Sequence, residues 1–324
     1  MGAQQRPLPP SWPYGLPPMP AGEYPEQAPP VLPPKEFVPP PPPATSPEQL
    51  RRVEGSEFAF TQQQIGYRHG PADWFPQDHP VMPEIVAKGK NPEVRACAMC
   101  HLPNGKGRPE NAPIQGLPYE YIVQQLHDFR DGLRASAEPR KANTSEMVQI
   151  ARALTDEEIE ASARYFASMK WTPYIRVVET ETIPRMRLGG EIFYAIGDGT
   201  TEPLGNRIIE SPENTQQTQW RNPRSGFIAY VPPGAVERGR VLATTGGNGK
   251  TIVCSTCHGA GLLGVGPIPD LAGRSPSYLA RQMYDIKLGT RRGAMAALMM
   301  PVVANLTDAD IVDLIAYVSS LSQE

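Results

Sequence analysis

All four cysteines of the chain fall into two five-residue words, Cys97-Ala98-Met99-Cys100-His101 and Cys254-Ser255-Thr256-Cys257-His258. Two thiols three positions apart, followed at once by a histidine, suit covalent haem attachment. Each cysteine forms a thioether to one vinyl group of a porphyrin, and the adjacent imidazole reaches the iron from the same face. Other chemistries must be weighed. Two C-x-x-C pairs can hold one zinc ion, but 153 residues separate these pairs, against about 15–20 in a zinc ribbon. That reading also leaves both histidines unused. A thioredoxin-like redox pair wants a single motif in a strand–helix setting. Two disulfides at this spacing would be strained and would again ignore the histidines. The words are therefore read as sites for two haems c, with His101 and His258 as iron ligands.

Elements that could position these groups repeat along the chain. At an offset of 157 residues, Cys97 matches Cys254, Gly116 matches Gly273, and Tyr121 matches Tyr278. Gln125 with Gln282, Asp128 with Asp285, Gly132 with Gly289 and Arg134 with Arg291 follow the same offset. The segments beginning at Tyr121 and Tyr278 read as amphipathic helices, each stopped by its glycine. Farther on, Leu154-Thr155-Asp156 pairs with Leu306-Thr307-Asp308 at an offset of 152. Thr155 and Thr307 look like N-caps followed by first-turn acids. They open last helices that end near Met169 and Ser322. Met82–Lys90 and Ala235–Thr244 are candidate first helices.

Each unit thus reads as helix, haem word, glycine-rich loop, helix, loop, helix. This order resembles the class I, mitochondrial-type cytochrome c domain used twice, as in the tandem two-haem cytochromes c of bacterial periplasms. The fold implied is mainly α. The division expected is a Pro-rich arm and extension over 1–80, a first domain over 81–170, a small β-containing bridge over 171–234, and a second domain over 235–324. The resemblance implies a methionine as sixth iron ligand, in the loop before the last helix. Met147 and Met299 each lie seven residues before the aligned leucine, Leu154 or Leu306. Met300 and Met295 are the alternatives to Met299. Met99, Met169 and Met283 read as core filling.

His127 could ligate iron but suits a solvated or propionate-bonding role better, and His69 and His79 lie outside the repeat. The family also places a proline carbonyl against the proximal imidazole. Pro269 fits that pattern, whereas the aligned position in the first unit is Ala112, beside Pro113. Arg134, Arg291 and Arg292 follow the middle helices. They read as propionate partners or as exposed helix-end charges. Tyr121 and Tyr278 read as core aromatics with a polar tip.

Proline is the compositional outlier: 39 of 324 residues, 18 of them in the first 50. Such a stretch favours extended polyproline II over a core. Trp12, Tyr14, Tyr24 and Phe37 punctuate it, which suggests a strap on the protein's own surface or on a stable partner. Within 171–234, Tyr174–Thr180, Glu191–Ile196, Arg207–Glu210 and Phe227–Val231 look like short strands.

A formal net charge of −3 argues against a nucleic-acid binder. No apolar run approaches the ~18 residues that cross a bilayer, and the first residues lack a signal-peptide core. The resemblance implies a periplasmic electron carrier, not an enzyme. Its expected partners are a dehydrogenase as donor and an oxidase or another cytochrome as acceptor. A two-haem peroxidase and a haem subunit of a dehydrogenase complex are the alternatives.

Overall fold

The computed structural model describes residues 8–19 and 36–323. Tyr24 and the rest of 1–7 and 20–35 lie outside the described residues.

After a 3-10 turn at Trp12–Tyr14, the chain forms β1 (Leu50–Arg52), β2 (Ala59–Thr61) and α1 (Gln62–Ile65). The first repeat unit contains α2 (Glu84–Ala87), α3 (Cys97–His101), α4 (Tyr119–Arg130), α5 (Ala142–Ala153) and α6 (Asp156–Ala167). The bridge contributes β3 (Ile175–Glu179), β4 (Thr182–Pro184), β5 (Met186–Gly189), β6 (Ile192–Ala195) and β7 (Thr201–Pro203). It continues with β8 (Ile209–Pro212), α7 (Thr215–Gln219) and β9 (Phe227–Val231). The second unit contains α8 (Ala235–Thr245), α9 (Ser255–His258), α10 (Pro276–Lys287), α11 (Met300–Val303) and α12 (Asp308–Ser320).

The caps follow from sequence. Thr155 with Glu158, and Thr307 with Asp310, form reciprocal capping boxes that start α6 and α12. Ser275 caps α10, and Pro276 takes its first turn, where a missing N–H costs nothing. α8 crosses α12 at Gly239, where an added Cβ would fall 1.9 Å from the Asp313 carbonyl oxygen.

Three expectations change. The first helix of the first unit is a single turn, Glu84–Ala87, because Gly89 at φ 68° turns the chain back. The segment before Leu154 is not a loop but the helix α5. The bridge holds more strands than expected: β3, β9 and β8 form one sheet, with β3 parallel to β9, while β4–β7 and β5–β6 are antiparallel pairs.

The bridge is not a free-standing layer. Its Ile183, Leu204, Ile208, Ile209, Ala229 and Val231 share one apolar core with α8, α10 and α12, and Trp12 joins the same core. The first unit has its own core around Val86, Leu117, Ile159, Ala163 and Phe166. A third cluster, Val53, Ile65, Trp74 and Phe75 with Trp220 beside it, ties the extension to the bridge. Trp74 Nε1 donates to the Trp220 carbonyl at 2.7 Å, and Arg224 clasps Asp78 with two bonds of 2.7 Å.

The arm's first aromatics are buried on the chain itself. Tyr14 has no exposed surface, and its hydroxyl donates to Asp285 at 3.0 Å. Trp12 and Tyr14 are therefore withheld from any partner, while Phe37 is 67% exposed.

Candidate haem sites

Each cysteine word opens into its own cavity. Cys97, Cys100, His101 and Met147 line the first, which encloses about 1260 Å³ of non-protein space including its solvent-open mouth. Cys254, Cys257, His258 and Met299 line the second, about 1480 Å³ on the same measure. Apolar side chains make up most of each wall, among them Leu117, Ile122, Phe129 and Phe166 in the first, and Leu279, Leu314, Ile315 and Val318 in the second. A flat, mostly apolar macrocycle fits such walls.

Each of these two histidines has one ring nitrogen engaged by a backbone carbonyl. His101 Nδ1 lies 2.9 Å from the Ala112 carbonyl, and His258 Nδ1 lies 2.8 Å from the Pro269 carbonyl. A carbonyl can only accept, so Nδ1 donates and Nε2 is left with the lone pair for iron. Ala112 thus replaces the expected proline, and its carbonyl does the same work. Burial holds both imidazoles below their ordinary range, which favours the neutral form that ligates. Burial also pushes the Cys97 thiol up to about 12 and the Cys100 thiol up to about 11. Among the described residues no cluster of three or more His, Cys, Asp or Glu side chains could hold a bare metal ion. The zinc reading of the cysteines therefore has no geometric support.

Met147 projects from α5, and Met299 ends a 3-10 turn, Ala296–Met299. Met299 and Met295 both line the second cavity, while Met300 is 41% exposed and outside its lining. His69, His79 and His127 line neither of these two cavities. His127 contacts Arg130, His79 lies 3.1 Å from an Asp73 carboxylate oxygen, and His69 is buried beside Tyr67.

The two cavities share a wall of Leu117, Tyr121, Gln125, Tyr278 and Gln282. Arg134 and Arg291 brace it. They are not exposed helix-end charges: only 7% and 8% of their surfaces reach solvent. Arg134 donates to Gln125 at 3.0 Å, to Gln282 at 2.9 Å and to the Tyr278 hydroxyl at 3.2 Å. Arg291 mirrors it, donating to Gln282 at 3.0 Å, to Gln125 at 2.9 Å and to the Tyr121 hydroxyl at 2.9 Å. Arg292 instead holds the Leu133 and Gly132 carbonyls.

The words differ in exposure. In the first, Ala98 and Met99 are buried, and Arg221 of the bridge donates to the Met99 carbonyl. Asn104 and Arg108 nearby donate to the Pro223 and Thr218 carbonyls. In the second, Ser255, Thr256 and Cys257 are exposed. Ile252 and Leu298, which line the same cavity as Cys257, are exposed, as are Leu263 and Val265 farther along the loop. Sequence reasoning missed this cap and also missed the buried Arg274 and Arg281. Neither arginine has an arginine at the matching position of the first unit, where Leu117 and Gln124 stand.

Comparison with known proteins bears on these sites. The cytochrome c family profile matches residues 86–170 and again 236–322. The chain is 28% identical over 223 residues to the thiosulfate dehydrogenase electron acceptor of Thiomonas intermedia, covering 67% of this chain and 75% of that protein. It is 26% identical over 231 residues to cytochrome c4 of Thiocapsa roseopersicina, covering 70% and 88% respectively. Among solved structures, cytochrome c4 of Acidithiobacillus ferrooxidans aligns with a TM-score of 0.45 at 22% identity, over 69% of this chain and 98% of that one.

Proposed function

Because the chain belongs to the cytochrome c family, in two separate stretches, and carries two covalent haem c groups, we propose that it shuttles electrons outside the cytoplasm from a dehydrogenase to a downstream oxidase or cytochrome. The observation that carries this reading is the shared wall between two cavities, each with its own cysteine pair and histidine. Two redox centres separated by one layer of side chains suit a relay better than a single catalytic pocket. When bound, each haem supplies an iron that alternates between the ferrous and ferric states.

The chain's own residues would do the rest. Cys97 and Cys100, and Cys254 and Cys257, anchor the macrocycles. His101 with Met147, and His258 with Met299, would hold the two irons. A thioether opposite an imidazole raises the reduction potential relative to two imidazoles. Apolar walls keep water from the irons.

The donor is proposed to be a dehydrogenase because a relative covering two thirds of the chain is named as the electron acceptor of thiosulfate dehydrogenase. Oxidation of a small sulfur oxyanion is therefore a candidate source of electrons. The open second word, with its apolar surroundings, suits the brief contact a shuttle needs. Covalent haem c assembly in bacteria takes place outside the cytoplasm, which supports a periplasmic location. No helix among the described residues is long and apolar enough to cross a membrane.

An optical spectrum with haem quantified as its pyridine complex tests the reading. Two low-spin haems c per chain are expected, with the weak near-infrared band of methionine bound to ferric iron. Replacing Met147 or Met299 should each remove about half of that band. A high-spin haem in the untreated protein that changes on adding peroxide would overturn the carrier in favour of an enzyme.

A further inference from the structure

The carbonyl that orients the first proximal histidine is held from outside its own unit. His101 Nδ1 donates to the carbonyl of Ala112. The carbonyl before it, at Asn111, accepts from Arg281 Nη2 at 3.2 Å. The carbonyl after it, at Pro113, accepts from Arg274 Nη1 at 3.3 Å. The same two guanidiniums also hold the Pro109 carbonyl at 2.9 Å and the Gln115 carbonyl at 3.1 Å. Both arginines belong to the second unit, and they are 5% and 1% exposed. Arg281 Nη1 further ties in the arm through the Pro13 carbonyl at 2.7 Å.

Within the first unit the same loop has a lighter fastening. Asn111 Nδ2 donates to the Cys100 carbonyl at 3.1 Å, and Asn143 Nδ2 donates to Asn111 Oδ1 at 2.8 Å.

The second histidine has no such dependence. The carbonyl before Pro269, at Ile268, accepts from Val265 N–H at 3.2 Å. The carbonyl after it, at Asp270, accepts from Arg274 Nε at 3.0 Å. Both donors lie in the same unit as His258. Arg281 therefore bears on the first loop alone, and Arg274 fastens both.

We propose that Arg281 and Arg274 are positioning residues for the axial histidine of the first haem, so that the second unit sets the first haem's potential. The proposal rests on the reading of His101 as an iron ligand. The physical route is short. The hydrogen bond at Nδ1 tunes how strongly the imidazole donates to iron. Stronger donation favours the ferric state. Two arginines that pin the carbonyls on either side of Ala112 fix where its oxygen sits. Their planar forks bridge several carbonyls at once, which a lysine cannot reproduce.

The test uses full-length haem-loaded protein carrying Arg281→Lys or Arg274→Lys, followed by redox titration with electron paramagnetic resonance. Arg281→Lys should raise the first haem's midpoint potential and leave the second unchanged, while Arg274→Lys, whose Nε also fastens the Asp270 carbonyl beside Pro269, should move both. The expected size is about tenfold in the constant for sharing one electron between the haems, which is about 59 mV for a one-electron couple. The low-spin g-values of the first haem should shift as well. A first-haem potential unchanged in both variants, or both haems moving together in Arg281→Lys, would overturn the proposal. Should Arg281→Lys fail to accumulate, Arg281→Gln, which keeps one donor, takes its place. A His101→Gln control should convert only the first haem to high spin. Two low-spin haems in that control would bring down the ligand assignment and the proposal with it. An intact ligand set with unmoved potentials brings down the positioning role alone.

Discussion

Arg134 and Arg291, equivalent positions in the two repeats, pair as an isolated antiparallel bridge, and each guanidinium crosses into the other's unit. Each caps the other unit's glutamine, Arg134 on Gln282 and Arg291 on Gln125, both at 2.9 Å. The wall between the cavities is thus a two-fold motif written by the repeat itself. Replacing either arginine with alanine takes one donor from each glutamine but leaves the other arginine's, and should cost about 1–3 kcal/mol of stability. Because only the loss of both arginines leaves the two glutamine oxygens without either donor, the double variant should cost more than the sum of the singles. Urea denaturation of the four proteins in a double-mutant cycle measures this, and simple additivity would contradict it.

The methionines separate by exposure. Met300→Leu should leave both haem spectra unchanged, since that side chain stands outside the cavity lining. Met299→Leu should abolish the second haem's share of the near-infrared band. The reverse result would move the ligand by one residue.

Asp285 gives the fold a pH dependence. It is buried against Tyr14 and the Ala137 N–H, with Arg134, Arg281 and Glu138 in the same region. Burial raises its carboxyl to about 6, against the lowering pull of those donors and arginines. The folded chain therefore holds this proton more tightly than the unfolded one. Stability from this group is full below about pH 4, the ordinary carboxylate value, and is lost as the pH rises through about 6. The loss is on the order of 3 kcal/mol. Melting curves between pH 4 and 7 should slope downward with pH in the wild type and flatten in Asp285→Asn.

Gly239 is a packing requirement. Any side chain there meets the Asp313 carbonyl at 1.9 Å and the Tyr317 Cβ at 2.8 Å. Gly239→Ala should force α8 from α12 and destabilise the second unit by about 2–3 kcal/mol. Calorimetry should show the loss, while Gly249→Ala, where nothing stands within 4 Å, should lose less through crowding.

The arm should behave as part of the body. Trp12 is buried in the core shared by the bridge and the second unit. Trp12→Ala should cost about 3–5 kcal/mol in thermal or chemical unfolding. Native proteolysis that trims through residue 19 without changing the melting temperature would contradict a packed strap.

The haem chemistry was legible because it needs fixed residue types at fixed spacing. Cys97, Cys100 and His101 are informative without knowing any neighbour. The helix caps at Thr155 and Thr307 were legible for the same local reason. The helix over Met147 was not, since Asn143-Thr144-Ser145 reads as loop composition, and only packing of Met147 and Ile150 toward the cavity selects the helix. Arg274 and Arg281 were invisible as well. An arginine on an amphipathic helix reads as solvated until the partner carbonyls, more than 150 residues away, are in place. The cap on the first haem word depends likewise on Arg221 meeting Met99, a contact no local pattern announces.

That cap also imposes an order of events on biogenesis. Arg221 lies 122 residues after the Met99 carbonyl it closes over, and Tyr14 waits for Asp285, 271 residues later. A chain that emerges from its amino end presents the first word before the bridge that closes over its backbone arrives. That face of the word is complete only once residues 218–223 dock. The second word stays open in the finished fold.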